Sequence, residues 1–453
     1  MAEPPGSRVV VLCLDTLGDL TLRQPLFRAL LDSGRRVTVV ARPEFVPFVP
    51  FLDPRLETLT VDIDPYRQPD ERSRDLLRDA RDRISALSPA DLVSAPWDRT
   101  FVDEWLLGQL PRPARTGFAR ADRPRFVTKA LEALDPPLTT EPLASPVACP
   151  EDVHEVDRNR ALAESVCGRA VEVLEPELTL PEDLLREAVE PLQRMGLRPG
   201  TYAIGCLGGR TSLKAWPVDS YVGLLARLAL RHGLEALVVG VEREAGLLRS
   251  VEEAASAAGI RVRTWIGAPA EMGVLLGLVR NSRLYVGGDT GPMHLAGALG
   301  VPVLARFGGG HWPRFLPRAR RSFVATQDLP CFGCEWRCRI GHPACVTAVS
   351  DEILEAGLDW ILGGDPDERR IDTGRALDPL TLELFEGLLS TARAERVELE
   401  DVVFRLAAEC RHVEELLQST VPRSGLSYAS PLRLVRMQRA VNRSLARLRG
   451  TRG

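Results

Sequence analysis

The stretch LYVGGDTGPMHLAGALGVPVLARFGG, which spans Leu284–Gly309, decides what fold the sequence predicts. It contains two apolar runs, and between them stand a polar turn rich in glycine and a short apolar segment. An apolar run of this length is typical of a strand buried on both faces of a parallel sheet, and the segment after the turn is typical of a helix. We therefore predict a strand, a tight turn, a helix and a second strand.

The turn of this stretch carries residue types that suit an anion site. Gly287 and Gly288 let the backbone turn and approach a ligand closely. Thr290 or Gly291 can cap the helix, and Pro292 suits its first turn. The exposed amides and the helix dipole would then bind an anion such as a diphosphate.

Two ionisable side chains belong to the same turn, Asp289 and His294. Asp289 would repel a phosphate, so we expect it to orient the turn or to accept a hydrogen bond from a sugar hydroxyl. His294 lies near the first helical turn, where it could donate a hydrogen bond to a phosphate oxygen. Taken alone, the turn also fits a purely structural role, as a tight connection to a capped helix.

Strands and helices alternate in both halves of the chain. In the first half, the apolar run Val9–Leu14 is followed by a turn at Asp15–Asp19, a helix to about Asp32 and a second strand at Val37–Val40. From about Thr201 the same order recurs through the segments TYAIGCLGG, EALVVG and LYVGGD. This alternation predicts an α/β fold with two doubly wound parallel sheets.

The length of 453 residues exceeds one ordinary core, and the sequence suggests three parts. We place a first Rossmann-like domain at residues 1–180, and a second, with the anion-binding turn and a cysteine cluster, at residues 181–365. The proline-rich segment from Pro136 to Pro150 is predicted as a connection rather than a core element. Residues 366–453 show helical patterns and no clear strand, which predicts a separate helical extension.

Charge and hydropathy limit the class of protein. The formal net charge is -4, so no global positive field favours nucleic acid, and we predict no nucleic-acid partner. The sequence has no run of about 18 apolar residues, and its first residues, MAEPPGSR, lack the basic and apolar segments of a signal peptide. We therefore expect a cytoplasmic protein.

The last residues have a basic amphipathic pattern. From Pro431 onward the sequence contains seven arginines and no acidic residue, with apolar residues at helical spacing. A helix of this kind can rest on the inner face of an anionic membrane, or it can dock on its own protein or on a sister subunit. The sequence leaves both open.

Several motifs together resemble one family. DTGPMHLAGALGVPVLARFG, Asp289–Gly308, resembles the donor-site signature of the family 9 glycosyltransferases, the bacterial heptosyltransferases that use ADP-heptose. LDTLGDLTLRQPLFRALLDSGRRVTVVARPEF is similar to the opening strand, Gly-Asp turn and helix of this family. LKAWPVDSY is similar to its lysine, tryptophan and proline segment, and RTGF, Arg115–Phe118, to another of its elements. The motifs cover most of residues 8–363.

The resemblance implies a GT-B architecture, in which two Rossmann-like domains face each other across a cleft. The acceptor would sit mainly on the first domain and the nucleotide sugar on the second. Asp19 is implied to be a catalytic base that removes the proton of the acceptor hydroxyl, with inversion at the anomeric carbon. Lys214 would neutralise the leaving diphosphate in place of a metal ion. Each has a simpler alternative role, Asp19 as a helix cap and Lys214 as a solvated surface residue.

The resemblance also assigns contacts to the donor. Glu244, in the turn after ALVVG, is placed near the nucleotide ribose. The segment LGGRTSL before Lys214 departs from the family's pattern, and Arg210 or Thr211 is expected to hold phosphate there. The donor-site group comprises Asp289, Thr290, Gly291 and His294.

These residues predict an inverting glycosyltransferase that moves a heptose, or a related sugar, from an ADP-sugar to a hydroxyl of a lipopolysaccharide core or another surface glycan. The acceptor could be lipid-linked, or it could be a protein that the helical extension recruits. A non-catalytic scaffold that binds nucleotide sugars is the third reading, against which the presence of both Asp19 and Lys214 argues. No cofactor is expected for catalysis.

Four cysteines crowd into CFGCEWRCRIGHPAC, at Cys331, Cys334, Cys338 and Cys345, with His342 among them. Four cysteines are the number of ligands in a tetrahedral sulfur site for zinc or iron. In a reducing compartment such a metal site is favoured over disulfides. Reduced cysteines that only pack are the alternative. The family is similarly divided: some lipopolysaccharide heptosyltransferases with such cysteines are not regarded as metalloproteins, whereas protein-modifying ones use a structural four-cysteine iron site. Any metal here is expected to be structural.

Overall fold

The computed structural model describes residues 6–374 apart from gaps. These gaps are residues 67–68, 96–99, 111–113, 119–126, 128–129, 132–133, 135–144, 149–151, 173–174, 210, 337, 339–342 and 365–366. By its contacts the chain divides into two compact units, Met1–Leu382 and Glu383–Gly453. The predicted basic amphipathic helix and nearly all of the predicted helical extension lie outside the described residues, and all described elements belong to the first unit.

The first sheet has six parallel strands in the order β3-β2-β1-β4-β5-β6. Its strands are β1 Arg8–Leu12, β2 Arg36–Ala41, β3 Glu57–Thr60, β4 Asp91–Ser94, β5 Ala114–Phe118 and β6 Ser145–Val147. The helices described with it are α1 Leu17–Asp32, α2 Val49–Leu52, α3 Glu71–Ala86, α4 Phe101–Gln109 and α5 Glu155–Cys167, and a 3₁₀ helix spans Pro43–Phe48.

The second sheet has seven parallel strands in the order β13-β12-β11-β10-β7-β8-β9. Its strands are β7 Tyr202–Gly205, β8 Glu235–Gly240, β9 Val262–Ile266, β10 Leu284–Gly288, β11 Val303–Arg306, β12 Ser322–Thr326 and β13 Arg369–Thr373. Its helices are α6 Glu182–Glu187, α7 Val189–Arg194, α8 Val218–His232, α9 Ala245–Ala257, α10 Met272–Arg280, α11 Gly291–Ala298, α12 Ala344–Thr347 and α13 Asp351–Gly363. Short 3₁₀ helices span Ser212–Lys214, Glu242–Glu244, Pro269–Glu271 and Gly309–His311.

Strand β1 shows why the apolar runs become central strands. Val9 and Val11 belong to one hydrophobic core, and Val10 and Leu12 belong to another, and all four are fully buried. Successive side chains of a strand point to opposite faces of the sheet, so only an unbroken apolar run can fill both cores. The predicted unit of strand, helix and strand is confirmed as β1, α1 and β2.

Two predictions about sheet edges are wrong. Residues 366–453 were predicted to contain no strand, but Arg369–Thr373 pairs in parallel with Ser322–Thr326, so the second sheet extends past residue 365. The segment from Pro136 to Pro150, predicted as a connection, contains the edge strand Ser145–Val147. An edge strand has one neighbour and needs no apolar run, and β13 leaves most of its side chains exposed.

Each sheet reverses its winding at one point. In the first sheet β1 lies between β2 and β4, and in the second sheet β7 lies between β8 and β10. In open parallel sheets, ligands bind beyond the carboxyl ends of the strands at such a switch point. The Gly-Asp turn follows β1, and the turn of Asp289 follows β10. Both turns that the sequence singled out therefore lie at switch points.

The two sheets are joined through helices and ion pairs. Helix α1 of the first sheet packs against α11 of the second, and α5 packs against α1. The buried Glu155 at the start of α5 accepts a hydrogen bond of 2.7 Å from Arg314, and Arg318 pairs with Asp157. These contacts hold α1 against α11. Within the described part of the chain, no helix is long and apolar enough to span a bilayer.

Candidate functional site

Asp19 stands in the first turn of α1, directly after β1. One oxygen of its carboxylate, Oδ2, accepts hydrogen bonds from the backbone N–H of Thr16 at 2.9 Å and from the Thr16 hydroxyl at 2.6 Å. The side chain therefore caps the helix, which is the simpler role that the sequence allowed. These two bonds do not involve the other oxygen, Oδ1, so capping does not exclude proton transfer at Asp19.

A buried ion pair adjoins Asp19. Arg23, one turn further along α1, donates hydrogen bonds of 3.2 and 2.9 Å to the two oxygens of Asp15, and it also donates to the Ala95 carbonyl. Neither charged side chain has any exposed surface. Bidentate geometry of this kind offsets the loss of solvation that burial imposes on two charges.

The pKa of Asp19 is raised to about 7. Burial is the main cause, the negative charge of Asp15 adds to it, and the positive charge of Arg23 opposes it. A carboxyl group with a pKa near neutrality can both take up and release a proton at physiological pH. The sequence did not single out Asp15 and Arg23, because an aspartate and an arginine eight residues apart give no sign of a shared buried environment.

Helix α11 begins at Gly291 and has Pro292 in its first turn, as predicted. Thr290 occupies the N-cap position, but its hydroxyl is hydrogen-bonded to the Tyr285 hydroxyl at 2.9 Å and does not cap the helix. The reason is that Tyr285 is fully buried and its hydroxyl needs a partner. Pro292 has no N–H, and the Met293 N–H donates a hydrogen bond of 3.1 Å to the Thr290 carbonyl. The start of α11 therefore offers an anion the Gly291 N–H and the positive end of the helix dipole.

Lys214 and Asp289 form an ion pair, although 75 positions separate them in the sequence. The Lys214 Nζ donates a hydrogen bond of 2.7 Å to Oδ2 of Asp289. Lys214 ends the 3₁₀ helix after β7, and Asp289 follows the neighbouring strand β10. The lysine side chain is 17% exposed and the aspartate side chain 5%. Lys214 is therefore not a solvated surface residue, and Asp289 orients it.

Glu244 lies at the same edge of the second sheet. Its Oε2 accepts a hydrogen bond of 3.1 Å from the backbone N–H of Val241, and its Oε1 lies 2.3 Å from the place that a β-carbon on Gly208 would take. The carboxylate thus stands beside the end of β7. Thr211 Oγ1 accepts a hydrogen bond of 3.2 Å from the Leu213 N–H and so caps the 3₁₀ helix that carries Lys214. Arg210 lies outside the described residues.

The Gly-Asp turn of the first sheet meets the start of α11 in the second. A β-carbon on Gly18 would lie 2.8 Å from Cδ2 of His294 and 3.4 Å from Cα of Gly291. Because any side chain at position 18 would collide with the imidazole, this close approach requires glycine. The residue next to it is Asp19, so the structure brings the two turns that the sequence singled out into contact.

Three histidines in the described part of the chain are neutral at pH 7: His294, which is buried, and His154 and His311, which are partly buried. Burial is the main cause that lowers the pKa of His154 to about 4 and the pKa values of His294 and His311 to about 3. The positive charge of Lys214 also lowers the pKa values of His294 and His311. The Nδ1 of His294 is buried and has no hydrogen-bond partner among the described residues. A neutral imidazole still has one N–H to donate.

We expect the free energy of unfolding to fall as the pH drops below about 6.5. The unfolded chain protonates these histidines near that pH, whereas the folded chain resists until about pH 3 to 4. Their contribution to stability is therefore present above pH 6.5 and is lost as the pH falls through this window. Each of the three histidines accounts for a loss of about 1.4 kcal/mol per pH unit. Urea unfolding between pH 7 and pH 5 measures the slope.

One substitution tests this assignment. His294→Gln should reduce the slope by about 1.4 kcal/mol per pH unit, because it removes one group that protonates only on unfolding. His232→Gln is the control, because His232, the last residue of α8, has a side chain that is 23% exposed and pairs with Asp359. An unchanged slope in the His294 variant would show that this imidazole is not held neutral by burial.

All four clustered cysteines are free thiols, and Cys345 is the buried one. Burial raises the pKa of Cys331 to about 11, and the neighbouring Cys334, Cys345 and Cys338 add to the shift, so the four thiols lie near one another. Over the described ranges, however, no three or more His, Cys, Asp or Glu side chains are arranged to hold a metal ion. As they lie, the thiols do not fit a metal site. His342 lies outside the described residues.

Two parallel α/β sheets that meet through the turns at their switch points form the GT-B fold. A family model described as glycosyltransferase family 9 (heptosyltransferase) matches residues 105–338, just over half of the chain. The chain therefore belongs to glycosyltransferase family 9 and is an enzyme of that class. The resemblance found in the sequence is confirmed, and so is the predicted architecture.

Solved structures share this fold. A family 9 glycosyltransferase from Veillonella parvula is 18% identical with a TM-score of 0.55, over 71% of this chain and 86% of that one. E. coli ADP-heptose lipopolysaccharide heptosyltransferase II is 19% identical with a TM-score of 0.55, over 78% and 97%. E. coli heptosyltransferase WaaC, solved with ADP-2-deoxy-2-fluoro heptose, is 16% identical with a TM-score of 0.53, over 75% and 96%. No curated protein sequence matches the chain.

Proposed function

We propose that this glycosyltransferase moves a heptose, or a related sugar, from an ADP-linked donor to a hydroxyl group, with inversion at the anomeric carbon. The acceptor we propose is a lipopolysaccharide core or another surface glycan at the cytoplasmic face of the membrane. The observation that carries the proposal is the contact between the Gly-Asp turn and the start of α11. This contact brings Asp19, whose carboxyl group has a pKa of about 7, to the edge of the second sheet where Lys214 pairs with Asp289.

The donor is held by charge and backbone. The Gly291 N–H, at the positive end of the α11 dipole, and the ammonium of Lys214 would bind the diphosphate, because they stand at the ends of β10 and β7. The carboxylate of Glu244, beside the end of β7, would accept a hydrogen bond from a ribose hydroxyl. Its Oε1 is the oxygen for this role, since Oε2 already binds the Val241 N–H.

The chemical step needs one base and one counter-charge. Asp19 takes the proton of the acceptor hydroxyl as the acceptor oxygen forms a bond to the anomeric carbon. The bond from that carbon to the diphosphate oxygen breaks, and its electron pair leaves with ADP. Lys214 stabilises the negative charge that develops on the leaving diphosphate. The products are the new glycoside, ADP and a proton, which Asp19 returns to water.

No step of this reaction passes through the cysteine cluster. A structural zinc or iron at Cys331, Cys334, Cys338 and Cys345 stays a prediction, because the thiols do not surround one point as they lie. Elemental analysis of the purified chain decides it. About one equivalent of zinc or iron, lost in a variant with Cys331→Ser and Cys334→Ser, would mean that metal binding draws the thiols together. A chain free of both metals would leave them as packing residues.

The proposal is tested with purified protein and a panel of ADP-, UDP-, GDP- and TDP-sugars. Isothermal titration should detect binding of an ADP-sugar and not of the others, and His294→Ala should weaken that binding. Transfer to a lipopolysaccharide core acceptor, followed by NMR of the product, should show the opposite anomer from the donor. Selective binding of another nucleotide sugar, or retention of configuration, would overturn the donor or the mechanism. Transfer to a protein and not to a glycan would overturn the proposed acceptor.

A further inference from the structure

The cysteine segment, residues 331–336, is attached to the end of β11. The backbone N–H of Gly333 donates a hydrogen bond of 2.7 Å to the Gly309 carbonyl, and that of Glu335 donates one of 2.8 Å to the Gly310 carbonyl. The sulfur of Cys345 also accepts a backbone hydrogen bond from Gly309. The segment therefore lies on the triglycine turn, Gly308–Gly310, at the carboxyl edge of the second sheet.

The triglycine turn has no room for side chains. A β-carbon on Gly309 would lie 2.1 Å from the ring of Phe332, and β-carbons on Gly308 and Gly310 would lie 2.5 and 2.4 Å from the ring of Trp336. None of the three glycines has a positive φ, so backbone conformation does not require them. They are required because two aromatic rings of the cysteine segment fill the space.

The ring of Trp336 reaches Lys214. The Lys214 Nζ stands over this ring, 5.0 Å from its centroid, within the range of a cation–π contact. Glu335 and Trp336 both have left-handed backbone conformations, with φ of 52° and 59°, which residues other than glycine seldom adopt. Such strain persists only where the surroundings impose it, and here the two hydrogen bonds to the triglycine turn do so.

Lys214 therefore has two partners of different kinds. Asp289 is an anion, so it competes with a diphosphate for the ammonium, whereas the Trp336 ring is neutral and leaves the positive charge available. A bound diphosphate can draw the ammonium away from Asp289 while the ring still supports it. We propose that Trp336 is a positioning residue of the donor site, and that the cysteine segment and the triglycine turn exist there to hold its ring beneath Lys214. This inference rests on the proposed role of Lys214 in binding the donor diphosphate.

The first test is made without any ligand. The chain has two lysines, Lys129 and Lys214, so selective ¹³C-lysine labelling gives two ε-methylene signals, which Lys129→Arg assigns. An aromatic ring beneath the ammonium shifts the Lys214 signal upfield by its ring current. We expect Trp336→Leu to abolish this shift, Trp336→Phe to keep most of it, and Trp360→Leu, which removes a ring stacked on Arg321, to leave it unchanged.

The second test measures the donor. Trp336→Leu should raise the KM for the ADP-sugar, and the Kd of ADP, by about tenfold, with kcat changed less. Trp336→Phe should restore binding to within about threefold of the wild type, because a benzene ring still faces the cation. Gly310→Ala should weaken binding as well, since its β-carbon displaces the Trp336 ring without removing it. Gly223→Ala in α8 is the matched control, because a β-carbon on Gly223 would have no other atom within 4 Å.

The two tests separate this inference from the proposed function. If the wild type binds no ADP-sugar, the proposed function fails, and the NMR signal still reports whether Trp336 holds Lys214. If ADP binds but the Lys214 signal is not shifted upfield, or Trp336→Leu leaves it and the Kd of ADP unchanged, the role of Trp336 is overturned. If Trp336→Leu does not fold, Trp336→Phe and Gly310→Ala decide the question by the same two measurements.

Discussion

Asp19→Asn is expected to lower kcat for sugar transfer by about 10²- to 10⁴-fold, the usual contribution of a general base, and to leave the Kd of the ADP-sugar within about twofold. Asparagine keeps an oxygen that can accept the two hydrogen bonds from Thr16, so the cap of α1 persists. What it loses is the ability to take up a proton. The measurement is steady-state transfer kinetics beside a titration of donor binding.

The structure offers a matched control on another helix. Asp103 caps α4 as Asp19 caps α1: its Oδ2 accepts hydrogen bonds from the backbone N–H of Thr100 at 3.3 Å and from the Thr100 hydroxyl at 2.5 Å. Asp103→Asn makes the same chemical change in the same local motif. If the two variants lose the same small amount of stability and both keep full activity, Asp19 is a helix cap and nothing more.

The pH dependence gives a second test of Asp19. Since the pKa of its carboxyl group is raised to about 7, kcat/KM should fall about tenfold per pH unit below pH 7 and level off above it. A rate that does not change between pH 5.5 and pH 8 would contradict a base at this position.

The contribution of Asp19 to stability should respond to pH in the opposite direction from its contribution to activity, and it should offset part of the slope that the three histidines impose. A carboxyl group with a raised folded pKa stabilises the fold below its unfolded value of 3.8, and this contribution is lost as the pH rises through about 7. At pH 8, Asp19→Asn should therefore be more stable than the wild type by a few kcal/mol. At pH 5 the difference should be smaller. Urea unfolding at the two pH values measures it.

Lys214→Met is expected to lower kcat by about 10²- to 10³-fold and to weaken ADP binding, because it removes the cation that we propose stabilises the leaving diphosphate. It should also destabilise the fold, since it leaves Asp289, which is 5% exposed, without its partner. The loss of stability should be smaller than the roughly 3 to 5 kcal/mol that breaking a fully buried ion pair costs, because the lysine side chain is 17% exposed. Transfer kinetics and urea unfolding measure the two effects.

The double variant Lys214→Met with Asp289→Asn separates the two effects. Removing both charges should restore most of the stability, because no uncompensated carboxylate remains, but it should not restore kcat. Recovery of both together would mean that Lys214 serves only the fold.

Lys214→Arg is the informative conservative change: 56 of the 58 basic residues are arginines, yet a lysine stands here. A planar guanidinium cannot take the place of a compact ammonium between the Asp289 carboxylate and the Trp336 ring, so we expect activity to fall in this variant too.

The sequence predicted the central part of the fold well because its signals there are local. The run Val9–Leu14 and the stretch from Leu284 each combine unbroken apolar residues with turn chemistry, and these features specify a buried parallel strand and the helix that follows it. Strands β6 and β13 at sheet edges escaped prediction, and so did β9 and the internal strand β12, because none of the four combines a long apolar run with turn chemistry. Thr290 was expected as a possible cap from its position, but the buried Tyr285 hydroxyl takes its side chain.

The sequence by itself determined two doubly wound sheets, the family, and the two turns that lie at the switch points, because each follows from residues close together in the chain. Only the tertiary structure decided how the charges are paired and which side chains surround them. The Lys214–Asp289 pair, the contact of Gly18 with His294, and the ring of Trp336 beneath Lys214 each join residues far apart in sequence. The raised pKa of Asp19 likewise depends on burial, which no local pattern reports. Strand order brings distant turns to one edge of a sheet, and that order is fixed by packing of the whole domain.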